Sequence, residues 1–442
     1  MLNILHITPH MGGGVGNVIS RLAIANDERM IHRIVLLEEP IKSTFIEKAQ
    51  EAGIHVAIQP DKYELERVLL TSDIMVVHWW HHPKTSKFLH DLPQMPVRLI
   101  IWSHISNLTV PALNPNLLLE ATRVLFTTEA SYEAEVFADL AEDTLKDKTG
   151  VVYGCGGFDD FPKIQHEEHS SFNIGYLGLV DYSKLHPNFV DFCKAIDIPE
   201  AKFILAGDAP VKHDIEKRVQ DKNLSNPFIF TGYVNDIKPI LSQFDVFGYP
   251  LMPYHTCTTE NVILEAMAAE VPPVVLNQLS EKYIVQDGKT GILVSGIEEY
   301  GQAMRYLYNN PEKRKTLGKS AREYVLYKYT SKKFLDSFYI NCEITMQKPK
   351  QILNFKRHMG KTPAEWFLSC LGNDYQLFKM SFIAGAYSQT EELQKLILLC
   401  SPLLKQSNKS SVLHYQREFP EDPILQIWGE IIRGEEKSGE TQ

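Results

Sequence analysis

The sequence has 442 residues, a formal net charge of −10 and 44% apolar residues, so it is long enough for two or three domains with separate cores. The acidic balance argues against a general nucleic-acid-binding protein, because neutralising a phosphate backbone requires a basic face. Six widely spaced cysteines without a Cys-x-x-Cys pair give no zinc or disulfide framework and are typical of a reducing compartment. The N-terminus lacks the charged flank of a signal peptide, and no apolar run reaches about 18 residues. We therefore expect a cytoplasmic protein without a membrane-spanning segment, although peripheral contact with an anionic membrane stays open.

Short β-branched runs alternate with helical stretches along about two thirds of the chain, a pattern that predicts parallel α/β sheets. The predicted strands of the first half are Leu2–Thr8, Arg33–Leu37, His55–Ile58, Ile74–His78, Arg98–Trp102, Arg123–Phe126 and Gly150–Tyr153. Those of the second half are Phe172–Leu177, Lys202–Ala206, Phe228–Thr231, Val246–Tyr249, Pro273–Val275 and Gly291–Val294. The fold class predicted is α/β, with two Rossmann-like doubly wound parallel-sheet domains facing a cleft and a C-terminal helical module.

The predicted domain limits follow from changes in composition. Residues 1–165 and 170–330 form the two α/β domains, and the polar, proline-led link Phe161–Ser171 is interpreted as the hinge between them. A helix over 331–345 is followed by a helical extension over 351–432. The tail 433–442 is too polar to pack and is predicted to be disordered.

The first chemical motif is the glycine cluster Gly12-Gly13-Gly14-Val15-Gly16-Asn17, between the first strand and a helix predicted over Val18–Asn26. Glycines let the backbone approach a ligand, and the amides of the following helix can bind an anion. A dinucleotide fingerprint, Gly-x-Gly-x-x-Gly, is not satisfied, because Asn17 and Ile19 stand where its third glycine would be.

A second motif is the polar stretch Thr258-Thr259-Glu260-Asn261, which leads directly into an apolar helix containing Glu265. The first amides of a helix have no internal partner and can hold a phosphate, and Glu265 lies about one turn further, within reach of a ribose hydroxyl. Periodicity alone is equally compatible with an ordinary βα unit that contains a buried carboxylate.

An ordered series of segments resembles glycosyltransferase family 4, the retaining sugar-nucleotide enzymes of the GT-B fold, over roughly residues 1–340. The matching segments are Gly13-Gly14, the turn 152–161, Ile174–Gly178 with Lys184, the turn 204–210, Phe230–Val234, Asp245–Pro250, 258–275 and Ile284–Val294. Each segment is weak by itself, and their order along the chain carries the resemblance.

The resemblance assigns roles to residues at matching positions. It implies that Lys184 is the cation on the leaving diphosphate, beside Gly178, and that amides near Thr258, Thr259, Glu260 and Asn261 also hold this group. Glu265 would bind the ribose, and His104, at the end of a first-domain strand, would contact the transferred sugar. The catalytic set is therefore His104, Lys184 and Glu265. Gly13, Gly14 and Gly16 would let the first domain approach the donor phosphates on closure.

Two positions depart from the family pattern. Leu179 stands where the family has an arginine, and Cys257, eight residues before Glu265, stands where it has a glutamate. Glu260, three residues later, could partly compensate. A nucleophilic Cys257 thiolate is the alternative, but no nearby base is visible in the sequence.

The segment His78-Trp79-Trp80-His81-His82 also ends a strand and suggests a metal cluster. No carboxylate stands at ligand spacing in the sequence, and the GT-B fold generally works without metal, so we predict no metal site and no cofactor. His81 and Gly157 are interpreted as acceptor-side or cleft residues. Trp79 and Trp80 either pack in the core or stack on a sugar.

The resulting hypothesis is retaining transfer of a hexose from a nucleotide-diphosphate sugar, of the UDP type, to a hydroxyl of a glycan, lipid-linked or protein acceptor. Two alternatives stay open: a catalytically silent sugar-nucleotide or glycan-binding protein, and a nucleotide-sugar epimerase or hydrolase on the same fold. The sequence leaves the role of residues 351–432 open, with acceptor recognition or oligomerisation as candidates, and a homo-oligomer is also compatible with it.

Overall fold

The computed structural model describes residues 1–25, 27–383, 391–406 and 410–439. It divides into two units, Met1–Gly154 with Leu335–Gln442, and Cys155–Phe334. The predicted hinge Phe161–Ser171 lies within the second unit, where its backbone is tied down: Glu167 N–H donates to Ser242 O at 2.9 Å, and the His166 ring bonds Ala269 O at 2.8 Å. The chain therefore enters the second unit at Cys155, before that link.

The first unit is built on a seven-stranded parallel sheet of order β3-β2-β1-β4-β5-β6-β7 among the described residues. Its strands are β1 Leu2–Thr8, β2 Met30–Leu36, β3 His55–Ile58, β4 Ile74–Trp79, β5 Leu99–Ser103, β6 Arg123–Phe126 and β7 Thr149–Val151. The strand order reverses between β1 and β4. In doubly wound sheets, ligands bind beyond the carboxyl ends of the strands at such a reversal.

The second unit repeats this pattern with a six-stranded parallel sheet of order β10-β9-β8-β11-β12-β13 in the described part of the chain. Its strands are β8 Phe172–Leu177, β9 Ala201–Ala206, β10 Phe228–Gly232, β11 Val246–Tyr249, β12 Pro273–Leu276 and β13 Ile292–Val294. Its order reverses between β8 and β11. All strands predicted from the sequence are observed, with small shifts at their ends.

Helices connect the strands and complete the layers. Those of the sheet regions are α1 Gly13–Ile24, α2 Thr44–Glu51, α3 Lys62–Leu70, α4 Pro83–His90, α5 Pro115–Glu120, α6 Glu142–Lys148, α7 Phe189–Ala195, α8 Lys212–Asp221, α9 Lys238–Leu241, α10 Asn261–Ala268, α11 Glu281–Ile284, α12 Ile297–Asn309, α13 Pro311–Lys328 and α14 Ser331–Met346. The C-terminal ones are α15 Lys356–Met359, α16 Pro363–Leu368, α17 Tyr375–Ile383, α18 Glu391–Leu398, α19 Pro402–Lys405, α20 Val412–Glu418 and α21 Pro423–Gly439. Short 3₁₀ turns span Glu129–Glu133, Glu135–Phe137 and Gly372–Asp374.

The prediction for the first helix was wrong at its N-terminus. The helix begins at Gly13 instead of Val18, so the glycine cluster forms its first turn and not a loop before it; the predicted end, Asn26, lies outside the described residues. A Cβ at Gly16 would come within 2.1 Å of Met11 O. Only glycine therefore allows the helix to start this close to the end of β1.

The C-terminal helices are part of the core of the first unit. Phe367, Tyr415 and Trp428 are each fully buried in the same apolar cluster as Trp79 and Ile101 of the sheet. Hydrogen bonds also join the C-terminal helices to the sheet region of the first unit. The Tyr415 hydroxyl and Ser86 Oγ are 2.7 Å apart, and Ser410 Oγ donates to Trp80 O at 2.6 Å.

Two further features of the chain bear on the sequence predictions. Helix α21 continues to Gly439, past residue 433 where a disordered tail is predicted, and residues 440–442 lie outside the described part. Among the described helices, none combines the length and the apolar composition that crossing a bilayer requires.

Candidate active site

The strongest candidate site in the second unit lies at its strand reversal. The loop after β8 carries Gly178 and Lys184, and the segment after β11 carries Cys257 and Glu260 before α10 begins. Because β8 and β11 are neighbours, two segments distant in sequence end at the same edge of the sheet. This is the place where doubly wound sheets bind ligands.

Gly178 holds the first of these loops close to the sheet. It has a φ of 119°, and a Cβ on the neighbouring Gly207 would come within 2.0 Å of Gly178 O. The open side of Gly178 faces Lys184 Nζ and the Tyr249 hydroxyl, each 3.9 Å from where its Cβ would be. The predicted glycine therefore stands beside the predicted cation.

Lys184 forms a partly buried ion pair with Glu260, with 2.8 Å between Nζ and Oε2. The Tyr249 hydroxyl donates to the same Oε2 at 2.9 Å. Burial raises the pKa of Glu260. The Lys184 ammonium, a hydrogen bond from the Cys257 thiol and the charge of His255 together outweigh burial and bring this pKa to about 2. Burial lowers the pKa of Lys184, yet the carboxylate of Glu260 raises it above its ordinary value. Both groups are therefore charged at neutral pH.

Helix α10 begins directly after Glu260, which is its N-cap residue. No side-chain hydrogen bond caps the helix, and the carboxylate of Glu260 at the N-cap is paired with Lys184 instead. Thr258 and Thr259 are half-buried in the preceding segment, and Asn261 Oδ1 is buried with no hydrogen-bond partner among the described residues. Glu265 lies on the second turn, half-buried.

The departure at Cys257 has a structural explanation. Glu260, and not the residue at position 257, supplies the carboxylate next to Lys184. Burial and the nearby Glu260 raise the pKa of the Cys257 thiol, so it is protonated at neutral pH and a weak nucleophile. The other departure, Leu179, is 43% exposed, and its carbonyl accepts the Tyr176 hydroxyl at 2.9 Å. Tyr176 and Tyr249 are site residues that sequence reasoning missed, because buried tyrosines in strands have no distinguishing pattern.

In the first unit, the predicted glycines lie at the strand reversal beyond β1. Gly13 has a φ of 61°, and both Gly13 and Gly14 are exposed, with open space where a Cβ would stand. Gly16 is buried against Met11. The α1 N-terminus has no capping side chain and no acidic residue in its first turn. Gly13 and Gly14 can therefore be approached closely, whereas Gly16 has a packing role.

His104 follows β5 and is half-buried. Its backbone N–H donates to Trp79 O at 2.8 Å, and its ring stacks on Trp102 with 5.2 Å between centroids. Nε2 lies 2.8 Å from His78 Nδ1. Burial lowers the pKa of His104 to about 3, so the imidazole is neutral at physiological pH.

His81 lies just after β4, at the strand end that the sequence predicts, but its ring is buried and not open to a ligand. It is fully buried against the rings of Phe367 and Tyr415, at centroid distances of 5.4 and 5.0 Å, and burial lowers its pKa to about 3. This burial argues against an acceptor-side role. Trp79 and Trp80 are also buried and therefore pack in the core instead of stacking on a sugar. Gly157 lies in the second unit with a φ of 80°.

A possible metal-binding group was missed by the sequence prediction. His10, Glu38 and His82 follow β1, β2 and β4, and their ligand atoms all lie within 4.8 Å of one another. However, Nδ1 of His10 accepts the Gly12 N–H at 3.0 Å, and Nδ1 of His82 accepts the Lys84 N–H at 3.2 Å. The proton of each neutral ring is therefore on Nε2, facing Glu38, whereas a metal bound there needs the Nε2 lone pair. With Nε2 of His10 and His82 at 3.9 and 3.7 Å from Glu38 Oε1, this arrangement fits two imidazole N–H groups facing a carboxylate better than a metal centre.

Comparison with known proteins supports the interpretation of the second unit. Residues 171–310 match the family model of the glycosyl transferases group 1. Sulfoquinovosyl transferase SQD2 of Arabidopsis thaliana is 30% identical over 158 residues, which are 34% of this chain and 29% of that protein. Alpha-monoglucosyldiacylglycerol synthase of Acholeplasma laidlawii is 31% identical over 133 residues, 30% of this chain and 33% of that protein. The chain thus matches about a third of the length of these curated relatives.

A solved structure extends the similarity to both units. The crystal structure of Anabaena Alr3699/HepE, in complex with UDP and glucose, aligns with a TM-score of 0.59 at 16% identity, and the alignment covers 78% of this chain and all of that one. At this identity the likeness shows the fold alone. The chain therefore has the GT-B fold, two Rossmann-like domains with an additional C-terminal helical region, and the match of residues 171–310 supports its assignment to the glycosyl transferases group 1.

Proposed function

We propose that this protein is a glycosyltransferase that moves a hexose from a nucleotide-diphosphate sugar to an acceptor hydroxyl with retention of configuration. The observation that carries the proposal is the placement of Lys184 and Glu260 at the β8/β11 reversal, directly before the uncapped α10. This part of the chain lies within the residues that match the family model. The HepE structure contains UDP and glucose, which supports a donor of the UDP type.

The chemistry of the leaving group explains the role of Lys184. Negative charge develops on the diphosphate as the glycosidic bond breaks, and preorganised cations and amide donors lower the barrier by stabilising this charge. Lys184 supplies the cation, and the amides at the start of α10, after Thr258 and Thr259, supply the donors. Glu265 on the next turn binds the ribose. With these groups in place, we propose that the reaction needs neither a resident metal nor a cofactor.

The Lys184–Glu260 contact has a consequence for donor binding. In the structure the carboxylate of Glu260 already neutralises the ammonium of Lys184. A diphosphate approaching Lys184 is therefore repelled by Glu260. Hydrogen bonds from the donor sugar to this carboxylate would offset the repulsion. We propose that Glu260 binds hydroxyls of the transferred sugar, which is the role that the family gives to the glutamate replaced here by Cys257.

The first unit supplies the remaining groups in this proposal. His104 is a neutral imidazole at a strand end, and it contacts the transferred sugar by hydrogen bonding and not by charge. Gly13 and Gly14 offer backbone amides without side chains in the way. The acceptor is a glycan, a lipid-linked sugar or a protein. The relatives from Arabidopsis and Acholeplasma are a sulfoquinovosyl transferase and an alpha-monoglucosyldiacylglycerol synthase, which keeps a lipid acceptor among the first to test.

A thermal-shift screen against UDP, GDP, ADP, TDP and CMP tests the donor site, because a ligand specific for the folded state raises the melting temperature. One nucleoside diphosphate should stabilise the protein, and Lys184→Ala and Glu265→Ala should abolish the shift. Lys289→Ala is the matched control, since Lys289 is an exposed lysine of the same unit. Turnover of the matching nucleotide sugars, with NMR of the product anomer, then tests transfer and retention.

The outcomes separate the alternatives. Absence of stabilisation by all five nucleotides would overturn the donor-site assignment. Binding without turnover on any acceptor favours the catalytically silent binding protein. This is the relevant second candidate because Glu260 neutralises Lys184 and because Leu179 stands where the family has an arginine. Turnover in the absence of an acceptor, giving a free sugar or an epimer, favours the epimerase or hydrolase.

A further inference from the structure

Four histidines form a continuous row across the sheet of the first unit. His32 lies on β2, His6 on β1, His78 on β4, and His104 directly follows β5, so each of four neighbouring strands contributes one ring. In the register of the sheet, His32 pairs with Ile4, His6 with Val76 and His78 with Trp102. Each histidine therefore stands two residues further toward the carboxyl end than the one before it. A step of two keeps all four side chains on the same face.

The rings are joined by hydrogen bonds from nitrogen to nitrogen. His32 Nδ1 lies 2.9 Å from His6 Nε2, His6 Nδ1 lies 2.9 Å from His78 Nε2, and His78 Nδ1 lies 2.8 Å from His104 Nε2. Every contact joins an Nδ1 to an Nε2, in the same direction along the row. Adjacent rings are stacked, with centroids 5.0 to 5.2 Å apart.

This connectivity makes the tautomers of the four rings interdependent. A neutral imidazole has one N–H donor and one lone-pair acceptor, and each contact needs one of each. If His78 carries its proton on Nδ1, then His104 must accept at Nε2 and hold its own proton on Nδ1, and the same argument passes to His6 and His32. The row therefore has two states only: all four protons on Nδ1, or all four on Nε2.

The closed end of the row distinguishes these two states. His32 Nε2 is buried and has no hydrogen-bond partner among the described residues, and the neighbouring Phe338 ring, 6.5 Å away between centroids, has no acceptor nitrogen or oxygen to offer. With all protons on Nε2, this end would be a buried N–H without an acceptor. With all protons on Nδ1 it is an unused lone pair. Among backbone groups, orphaned buried donors are rarer than under-satisfied acceptors, and we extend this preference to the imidazole. The structure therefore favours the state with all protons on Nδ1.

The charged groups near the row do not reverse this preference. Asp27 acts electrostatically on His32, but its carboxylate is held by the guanidinium of Arg29, with 2.8 Å between Arg29 Nε and Oδ1, so the pair is close to neutral. Burial lowers the pKa of all four histidines, to about 4 for His32 and about 3 for His104 and well below the ordinary value for the other two. The row is therefore uncharged at neutral pH.

The same closed end argues against proton conduction along the row. A conducting chain must exchange protons with solvent at both ends, whereas His32 Nε2 is sealed in the core. Only the other end is accessible. His104 is half-buried, and its Nδ1 has no partner in the part of the chain that the structure describes.

We infer that His78, His6 and His32 are positioning residues that hold His104 in its Nδ1–H tautomer, so that His104 presents a hydrogen-bond donor to an oxygen of its ligand. That this ligand oxygen belongs to the transferred sugar rests on the proposed function; the tautomer itself does not. A lone His104 could offer either a donor or an acceptor to a sugar hydroxyl. The row removes this freedom before the ligand arrives, which is preorganisation obtained from residues that never touch the substrate.

The direct test is the tautomer of each ring, measured by long-range ¹H–¹⁵N correlation NMR on protein labelled with ¹⁵N-histidine at pH 7.5. The His104 signals are identified from the spectrum of His104→Gln. The expected result is the Nδ1–H pattern for all four rings. A His104 ring with its proton on Nε2, or a mixture of both tautomers in the unmodified protein, overturns the inference.

Breaking the row tests whether the distant residues set the tautomer. His6→Gln places beside His78 Nε2 an amide that can present either its oxygen or its NH₂ group, so His78 and His104 should populate both tautomers. His32→Phe leaves His6 Nε2 as a new buried end without an acceptor, so His104 should keep its Nδ1–H tautomer. His55→Phe is the matched control, because His55 lies exposed on β3, outside the row. An unchanged Nδ1–H signal in folded His6→Gln, or a mixture of tautomers in folded His32→Phe, shows that the row does not set the tautomer.

Kinetics connects the tautomer to transfer. If half of the molecules lose the donor state, kcat/KM should fall by about twofold, because only the competent fraction binds productively. If the proposed function is wrong, no variant shows transfer, but the NMR result is unaffected. The failure of one proposal can therefore be told apart from the failure of the other.

Discussion

The two units bury polar side chains at the same topological place, the strand reversal of a parallel sheet, in opposite ways. The first unit buries neutral imidazoles that satisfy one another through His6 and His78. The second buries opposite charges, Lys184 against Glu260. A neutral polar group needs only a hydrogen-bond partner, whereas a buried charge needs a counter-charge as well. The first unit thus uses hydrogen bonds of defined direction, whereas the second uses the stronger attraction between opposite charges.

This difference fits the division of labour in the proposed reaction. A diphosphate leaving group requires charge, which the second unit provides at Lys184. A sugar hydroxyl is neutral and requires a donor or acceptor of defined direction, which the first unit provides at His104. Each unit therefore buries the kind of polar group that its proposed ligand needs.

The largest expected effect comes from removing residues 351–442. The first unit would lose buried side chains such as Phe367, Tyr415 and Trp428, each contributing about 2 kcal/mol of burial, whereas the second unit has its own core. We expect the shortened chain to keep a folded second unit and to lose the first. Exposure of Trp79, Trp80 and Trp102, measured by the red shift of their fluorescence, checks this. A native spectrum with full solubility would show that the helices are an accessory module.

Acid should weaken the first unit before the second. The pKa of the four histidines of the row is depressed by burial, so below about pH 6.5 the unfolded chain takes up protons that the folded unit does not. Between pH 7.5 and 5.5 this costs about 1.4 kcal/mol for each histidine, hence about 5 kcal/mol for the four of the row and about 7 kcal/mol with His81, whose pKa burial lowers in the same way. Glu260, with its pKa lowered to about 2, keeps its contribution to the second unit until the pH falls below about 4.3.

Tryptophan fluorescence reports this selectively, because all five tryptophans lie in the first unit: Trp79, Trp80, Trp102, Trp366 and Trp428. When the pH is lowered from 7.5 to 5.5, the urea concentration at the unfolding midpoint, measured by fluorescence, should decrease. Hydrogen exchange of peptides from the second unit should show no comparable loss of opening free energy. His32→Phe should reduce the pH dependence by about one fifth, because His81 contributes beside the four histidines of the row. Equal pH dependence in both units would contradict the comparison.

Breaking the ion pair should destabilise the second unit alone. Lys184→Met leaves the carboxylate of Glu260, which is 7% exposed, without its counter-charge, and removing one partner of a buried pair typically costs about 3 kcal/mol. The double variant Lys184→Met, Glu260→Gln should recover most of this loss. Hydrogen exchange of the second unit measures the effect, and tryptophan fluorescence of the first unit serves as the internal control. Additive losses in the double variant would mean that the two side chains are not coupled.

The smallest effect is expected at Cys257. Its thiol has a raised pKa and is protonated, so Cys257→Ser should change kcat by less than about threefold, under about 0.7 kcal/mol. Steady-state kinetics with the nucleotide sugar identified by the thermal-shift screen measures this. A loss of a thousandfold or more would instead identify Cys257 as a nucleophile.

The site could be predicted from the sequence only where a residue lies in a local motif. Gly178 and Lys184 follow one predicted strand. Glu260 directly precedes one predicted helix and Glu265 lies on it, so the positions of all four residues could be predicted from their order and spacing. The Lys184–Glu260 pair was not, because the two residues are 76 positions apart and meet only through the neighbouring strands β8 and β11. His81 failed for the opposite reason: its place at a strand end was correct, but the C-terminal helices that cover it could not be placed from sequence.

The sequence by itself determined the strands, the doubly wound class and the resemblance to a sugar-nucleotide enzyme, because alternation, glycine turns and helix starts are local properties of the chain. Only the tertiary structure decided which distant residues share a hydrogen bond. His6 and His32 belong to no motif, and nothing in the sequence links them to His78 or His104. The row exists because parallel strands in register bring one ring from each strand to the same face. Strand order and register are set by packing of the whole sheet, and this is the physical reason why the histidine row could not be seen in the sequence.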